Sequence, residues 1–105
     1  MLSSRIIRAI NTAKKYPYIQ RVGIFGSYAR NEETAISDID ILIDYDNCSD
    51  EFIDDLGGFM EDIEQIWHGK IDYVTLPGLM GSRDEAFKRN VLNDVKWIYT
   101  ADTVV

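Results

Sequence analysis

Two aspartates separated by a single residue, Asp38 and Asp40, stand within the apolar run that ends near Tyr45. Side chains alternate between the two faces of a strand, so both carboxylates point the same way. Like charges this close repel each other and resist leaving water, so the pair has no structural use in a buried strand. A divalent cation between them removes both objections, and Mg²⁺ prefers one or two carboxylates together with phosphate oxygens. The pair therefore predicts a magnesium site of the kind that holds a nucleoside triphosphate.

A Gly-Ser turn, Gly26-Ser27, follows the preceding apolar run at residues 22–25. It offers free backbone N–H groups where a short helix is expected to begin, and such a place attracts phosphate. Ser27 as a simple helix cap is the competing interpretation, and the two roles are compatible. Arg30 either contacts a phosphate or pairs with an acidic neighbour, and the sequence leaves both open.

Residues 26–42 contain Gly-Ser-Tyr-Ala-Arg, a short loop, and then Ser-Asp-Ile-Asp-Ile-Leu. Gly-Ser followed by Asp-x-Asp on the next strand resembles the nucleotidyltransferase superfamily that includes DNA polymerase beta, and within it the minimal nucleotidyltransferases. The resemblance runs from about residue 19 to residue 76. It departs at Asn31, where a glycine usually follows the arginine; asparagine also tolerates a left-handed backbone, so the turn is expected to survive.

The resemblance implies an α/β fold of the two-layer α+β kind, with a small mixed sheet and helices on one face. We expect one domain over residues 1–105. Apolar periodicity predicts helices at about 4–15, from about 50 to a cap at 68–69, and at 83–95. It predicts strands at about 21–26, 37–45 and 70–76, a helical segment at 27–30 and an extended segment at 97–99.

The resemblance also implies the site. Asp38, Asp40 and Asp72 are expected to hold Mg²⁺ and to be the catalytic residues, with Asp72 also accepting the proton of the attacking hydroxyl. Asp72 as a carboxylate at a strand edge is the alternative. ATP is the implied co-substrate, and the residues expected to bind its phosphates are Gly26, Ser27 and Arg30.

Three functions stay open. The family implies an Mg²⁺-dependent transfer of AMP from ATP to a tyrosine hydroxyl on a partner HEPN ribonuclease toxin, which makes the chain an antitoxin. A domain of 105 residues leaves no room for a second unit that holds an acceptor, so we expect the acceptor to arrive on another chain. The alternatives are an antitoxin that acts by masking alone and a subunit that modifies a small molecule such as an aminoglycoside.

The charge and composition of the chain limit the classes of partner that we expect it to bind. The net charge is −7, and residues 31–69 contain no Lys or Arg but hold 13 of the 18 acidic residues. This field repels nucleic acid, so we expect no direct nucleic-acid partner, although the acidic stretch could face either solvent or a basic protein. No apolar run approaches 18 residues, so no membrane span is expected. The lone Cys48 fits a reducing compartment, and we expect a cytoplasmic protein.

Four local expectations remain. Asp44 shares the face of Asp40 but lies further along the strand, so it is expected to be exposed to solvent. His68 is expected to be structural. Residues 82–85 read as a capping box, a serine followed three residues later by a glutamate. Gly57-Gly58 stands in mid-helix, and the sequence does not decide between a kink and a close approach to the sheet.

Overall fold

The computed structural model describes residues 4–26, 38–67 and 69–101, where it forms four helices and four strands. In chain order these elements are α1 (Ser4–Ala13), β1 (Ile19–Phe25), β2 (Ile39–Tyr45), α2 (Phe52–Ile66), β3 (Ile71–Thr75), α3 (Leu76–Met80), α4 (Glu85–Asp94) and β4 (Lys96–Thr100). The helical segment predicted at 27–30 and the predicted role of His68 lie outside the described residues. None of the helices in the described ranges has the length and apolarity needed to cross a membrane.

The four strands form one sheet in the order β3-β2-β1-β4. β2 pairs with β3 in parallel, whereas β1 pairs with both β2 and β4 in antiparallel fashion. The sheet is therefore mixed, as expected. Because β1 and β2 are central, their side chains are covered on both faces, which explains why both read as nearly continuous apolar runs.

Helices α1 and α2 cover one face of the sheet. Buried side chains from both helices meet the strands there, and the core cluster includes Ile6, Ala9, Ala13, Val22, Ile24, Ile39, Ile41, Ile43, Phe59 and Ile63. Burial of each isoleucine of this kind contributes about 1.5–3 kcal/mol relative to an exposed one, which is the main stabilisation of this layer.

A second, smaller cluster covers the opposite face. Its buried members are Phe25 from β1, Leu42 from β2, Leu79 from α3 and Val91 from α4. The fold class is as expected, but the arrangement of helices on one face holds only for α1 and α2. Helices α3 and α4 lie on the other side, on the face that carries Asp40 and Asp72.

Two elements near the C-terminus extend the sequence-based description. The segment expected to be extended at 97–99 is an edge strand, β4, paired with β1. The Pro-Gly pair at 77–78, which follows the strand predicted at about 70–76, lies in α3. Thr75 caps this helix, because its Oγ1 accepts a hydrogen bond from the backbone N–H of Gly78 at 3.2 Å, and proline is favoured in a first helical turn.

The start of α4 corrects the predicted capping box. The helix begins at Glu85, and Asp84 is its cap, because Oδ1 of Asp84 accepts from the backbone N–H of Phe87 at 3.0 Å. Ser82 lies outside the helix and accepts from the N–H of Asp84 at 3.1 Å. Within α4, the side chains of Phe87 and Leu92 are each 41% exposed, whereas Val91 is buried. Asp84 directly precedes the first residue of α4 and is two residues closer to the helix than Ser82, so its carboxylate reaches the free N–H groups.

Helix α2 runs without interruption through Gly57-Gly58. A Cβ added at Gly58 would lie 2.8 Å from Cε1 of Tyr16, whereas one at Gly57 would meet nothing within 4 Å. Tyr16 follows α1, and its hydroxyl donates to Oδ2 of Asp62 at 2.5 Å while its ring meets Phe59 edge-on. Gly58 is therefore a close-approach position, but against Tyr16 rather than the sheet.

Candidate active site

The parallel pairing of β2 with β3 brings two of the predicted carboxylates together. Asp40 and Asp72 are direct Cα partners in that register, between the pairs Ile39–Ile71 and Ile41–Tyr73. Neighbouring strands lie about 4.8 Å apart, and partners in register point to the same face. The two carboxylates therefore stand side by side on the face opposite α1 and α2.

The glycine that directly follows β1 lies against Asp40. Phe25 is the antiparallel partner of Asp40, and Gly26 follows with a φ of 73°. A Cβ built at Gly26 would overlap Oδ2 of Asp40. Only glycine combines this left-handed backbone with the space that the carboxylate fills. Gly26 thus serves both the turn and the position of Asp40.

Asp38 lies just before β2 begins, and its side chain is exposed. Among the residues that the structure describes, no three Asp, Glu, His or Cys side chains stand in an arrangement that could hold a metal ion. The structure therefore brings Asp40 and Asp72 together, while the part assigned to Asp38 stays a prediction. Ser27 and Arg30, the expected phosphate-binding residues, lie outside the described ranges.

The pair lies at the rim of the sheet and not in its core. The side chain of Asp72 is 48% exposed, and Asp40 is half-buried. From the sequence, both Asp38 and Asp40 were expected to be enclosed in a buried strand. Because the aspartates sit where β2 and β3 begin, water reaches them, and the cost of removing their charges from water is lower than in a buried strand.

Lys70 is a neighbour of the site that the sequence interpretation missed. Its Nζ lies 3.8 Å from Oδ1 of Asp72, and its side chain is 67% exposed. Its backbone carbonyl accepts a hydrogen bond from the N–H of Ile39 at 3.1 Å, which fixes the start of β3 beside the start of β2. The available signal was the spacing, because residues two apart on a strand share a face.

Asp44 was expected to be exposed to solvent, but its side chain is only partly exposed. Nε and Nη2 of Arg21 both donate to Oδ2 of Asp44 at 3.1 Å, and the guanidinium lies 4.2 Å from the ring centroid of Trp97. The Asp44 side chain is 24% exposed. This contact ties β1, β2 and β4 together, so Asp44 has a structural role on the face that carries Asp40.

The arrangement fits a magnesium ion that arrives with a nucleotide. Mg²⁺ commonly takes only one or two carboxylates from a protein and fills its other positions with phosphate oxygens and water. Asp40 and Asp72 could supply such a pair, and the missing side chain of Gly26 leaves the space that the Asp40 carboxylate occupies. The open rim leaves the remaining positions to a ligand.

The sequence matches a known protein family and several curated proteins. The family model described as "Polymerase beta, Nucleotidyltransferase" matches residues 8–104. A protein of Methanocaldococcus jannaschii named "Putative protein adenylyltransferase MJ0126" is 45% identical over 58 residues, which are 54% of this chain and 56% of that protein. The chain thus spans about half the length of the curated relatives it matches.

Solved structures share the fold. A chain from the crystal structure of a toxin-antitoxin with AMP-PNP superposes with a TM-score of 0.60 at 19% identity, covering 93% of this chain and 73% of that one. A chain from the complex of tri-AMPylated Shewanella oneidensis HEPN toxin with MNT antitoxin gives a TM-score of 0.59 at 18% identity, covering 92% and 71%. At these identities the likeness concerns the fold alone.

Proposed function

Because the chain belongs to the polymerase beta nucleotidyltransferase family, we propose that it transfers AMP from ATP to a hydroxyl group on a partner protein. The relative named as a protein adenylyltransferase supports a protein acceptor. The neighbouring structures that contain AMP-PNP and an AMPylated HEPN toxin support ATP as donor and a toxin as acceptor. In this proposal the acceptor is a tyrosine of a HEPN-type toxin, and the chain is its antitoxin.

The observation that carries this proposal is the pairing of Asp40 with Asp72 at the open rim of the sheet, with Gly26 against the Asp40 carboxylate. A purely masking antitoxin has no use for two adjacent carboxylates on one face, since their repulsion opposes folding. A transferase needs them, and it needs them accessible to both a nucleotide and the side chain of another protein.

The chemistry assigns a role to each group. The acceptor oxygen attacks the α-phosphorus of ATP, the bond from that phosphorus to the leaving oxygen breaks, and pyrophosphate departs. Asp40 and Asp72, with Asp38 as the expected third ligand, would hold Mg²⁺, which when bound would neutralise phosphate charge and lower the pKa of the attacking hydroxyl. Asp72 accepts the proton of that hydroxyl. Gly26 keeps the turn free of a side chain, and Ser27 and Arg30 are expected to bind the phosphates that leave.

The test uses purified chain, ATP labelled at the α-phosphate, Mg²⁺ and the toxin encoded next to it. We expect label on the toxin, and mass spectrometry is expected to place one or more AMP groups on tyrosine. Asp40→Asn and Asp72→Asn are each expected to lower the rate by at least about 100-fold, because the first would weaken metal binding and the second would also remove the group that accepts the proton. Asp50→Asn, which removes an exposed carboxylate before α2, is the matched control and is expected to keep the wild-type rate.

Two results would contradict the proposal. The first is absence of label on any protein when the wild-type chain, its toxin, ATP and Mg²⁺ are present together. The second is a doubly substituted Asp40→Asn, Asp72→Asn chain that still protects cells from the toxin without modifying it, which would assign the protection to masking.

A further inference from the structure

Lys70 is built into the rim that carries the two carboxylates. Its carbonyl accepts a hydrogen bond from the N–H of Ile39, the first residue of β2, directly before the first register pair of β2 and β3. Alternation along β3 directs its side chain to the face of Asp72, where Nζ lies 3.8 Å from Oδ1. The ammonium group of Lys70 therefore stands next to Asp72 of the candidate site.

The charge distribution along the chain makes this lysine unusual. After Arg30 no Lys or Arg occurs until Lys70, so it is the first cation that follows the long acidic stretch. It appears two residues before the third predicted carboxylate, on the same strand face. A positive charge at this point offsets the repulsion between Asp40 and Asp72 while no metal is bound.

We propose that Lys70 is a positioning residue that exchanges partners. It pairs with Asp72 in the metal-free protein, and when a divalent cation occupies the carboxylates it turns to the phosphate chain of the nucleotide. The inference rests on the proposed function, because it requires a metal–nucleotide site at Asp40 and Asp72. It extends that function by naming a phosphate contact on β3 in addition to the turn at Gly26.

The exposure of the pair makes this exchange feasible. The two side chains are 67% and 48% exposed, and an ion pair so open to water changes an equilibrium by at most about fivefold. A cation at Asp72 would repel the ammonium and take its partner, which leaves the lysine available to another anion. Lysine has a flexible stem and three donors and commonly contacts phosphate as a point charge.

The test measures binding and not activity. Mn²⁺ alone is titrated by electron paramagnetic resonance, and AMP-PNP in saturating Mg²⁺ is titrated by calorimetry. Lys70→Met is expected to bind Mn²⁺ about two- to fivefold more tightly, since a competing charge is gone, and AMP-PNP at least about threefold more weakly. Lys70→Arg, which keeps the charge, is expected to retain wild-type Mn²⁺ affinity and to recover most of the AMP-PNP affinity.

Lys14→Met is the matched control, because it removes the same charge from an exposed position after α1, on the opposite layer. If Lys70→Met matches wild type, or if it shifts both affinities in the same direction, the inference is wrong while the proposed function survives. If the wild-type chain itself binds neither Mn²⁺ nor AMP-PNP, both the inference and the proposed function are wrong. Opposite shifts that Lys14→Met lacks would support the exchange of partners.

Discussion

Substitution of Gly26 by alanine tests the geometry of the candidate site most sharply. The residue has a φ of 73°, and a Cβ there would overlap Oδ2 of Asp40. A left-handed backbone costs an L-residue with a side chain roughly 1–2 kcal/mol. We therefore expect Gly26→Ala to lower the free energy of unfolding by about that amount, and relief of the overlap requires the Asp40 carboxylate or the turn to move.

The matched control is Gly57→Ala, which makes the same chemical change inside α2. A Cβ there meets nothing within 4 Å, and the helix is regular. Alanine in place of glycine at such a position stabilises a helix by about 0.5–1 kcal/mol. The two substitutions are expected to shift the urea midpoint in opposite directions, with unchanged slopes of free energy against urea.

Transfer of AMP provides the second measurement on the same pair. A displacement of about 1 Å in a reacting group can lower a rate about 100-fold, so Gly26→Ala is expected to lose far more activity than stability. A domain of typical stability, about 5–15 kcal/mol, stays folded after the substitution. Wild-type stability together with a wild-type transfer rate in Gly26→Ala would refute the proposed contact with Asp40.

Two further predictions concern stability. Asp84→Ala is expected to lower the free energy of unfolding by about 1 kcal/mol, whereas Ser82→Ala changes it much less; equal effects in urea denaturation would contradict the observed cap. The hydrogen bond to Asp62 raises the pKa of Tyr16 to about 12, and burial raises the pKa of Tyr73 to about 12. The unfolded chain releases these protons near pH 10, so stability is fully present below about pH 10 and is lost as the pH rises through about 12. Tyr16→Phe is expected to flatten that loss, and an unchanged pH profile would show that Tyr16 does not contribute.

The part of the site that the sequence predicts well depends on local spacing. Alternation along one strand placed Asp40 on a defined face, and the resemblance carried by the Gly-Ser and Asp-x-Asp motifs identified the family, which the family match confirms. The position of Asp72 beside Asp40 requires β3 to pair in parallel with β2. No spacing within the chain determines strand order, so only the resemblance could supply it.

The residues that the sequence analysis misjudged have a common physical cause. Their roles depend on which neighbour each side chain meets in the fold, and a sequence pattern does not show that. Asp84 and Ser82 both resemble helix caps, and the outcome depends on where α4 begins. Asp44 matched an exposed strand residue until the register of β1 placed Arg21 opposite it. The sequence does not identify Lys70 as a neighbour of the site, because its position there follows from an ion pair with Asp72 and not from a motif.

The central claim is that Asp40 and Asp72 jointly hold the cation that carries the nucleotide. A crystal structure of the chain with AMP-PNP and Mn²⁺ in place of Mg²⁺ tests it directly, because anomalous scattering locates the Mn²⁺. We expect a cation in direct contact with a carboxylate oxygen of Asp40 and one of Asp72, at the distance of about 2.1 Å that Mg²⁺ requires. Phosphate oxygens of the nucleotide are expected to complete its coordination shell next to Gly26. A cation bound elsewhere on the chain, or a nucleotide whose phosphates lie away from these two aspartates, would contradict it.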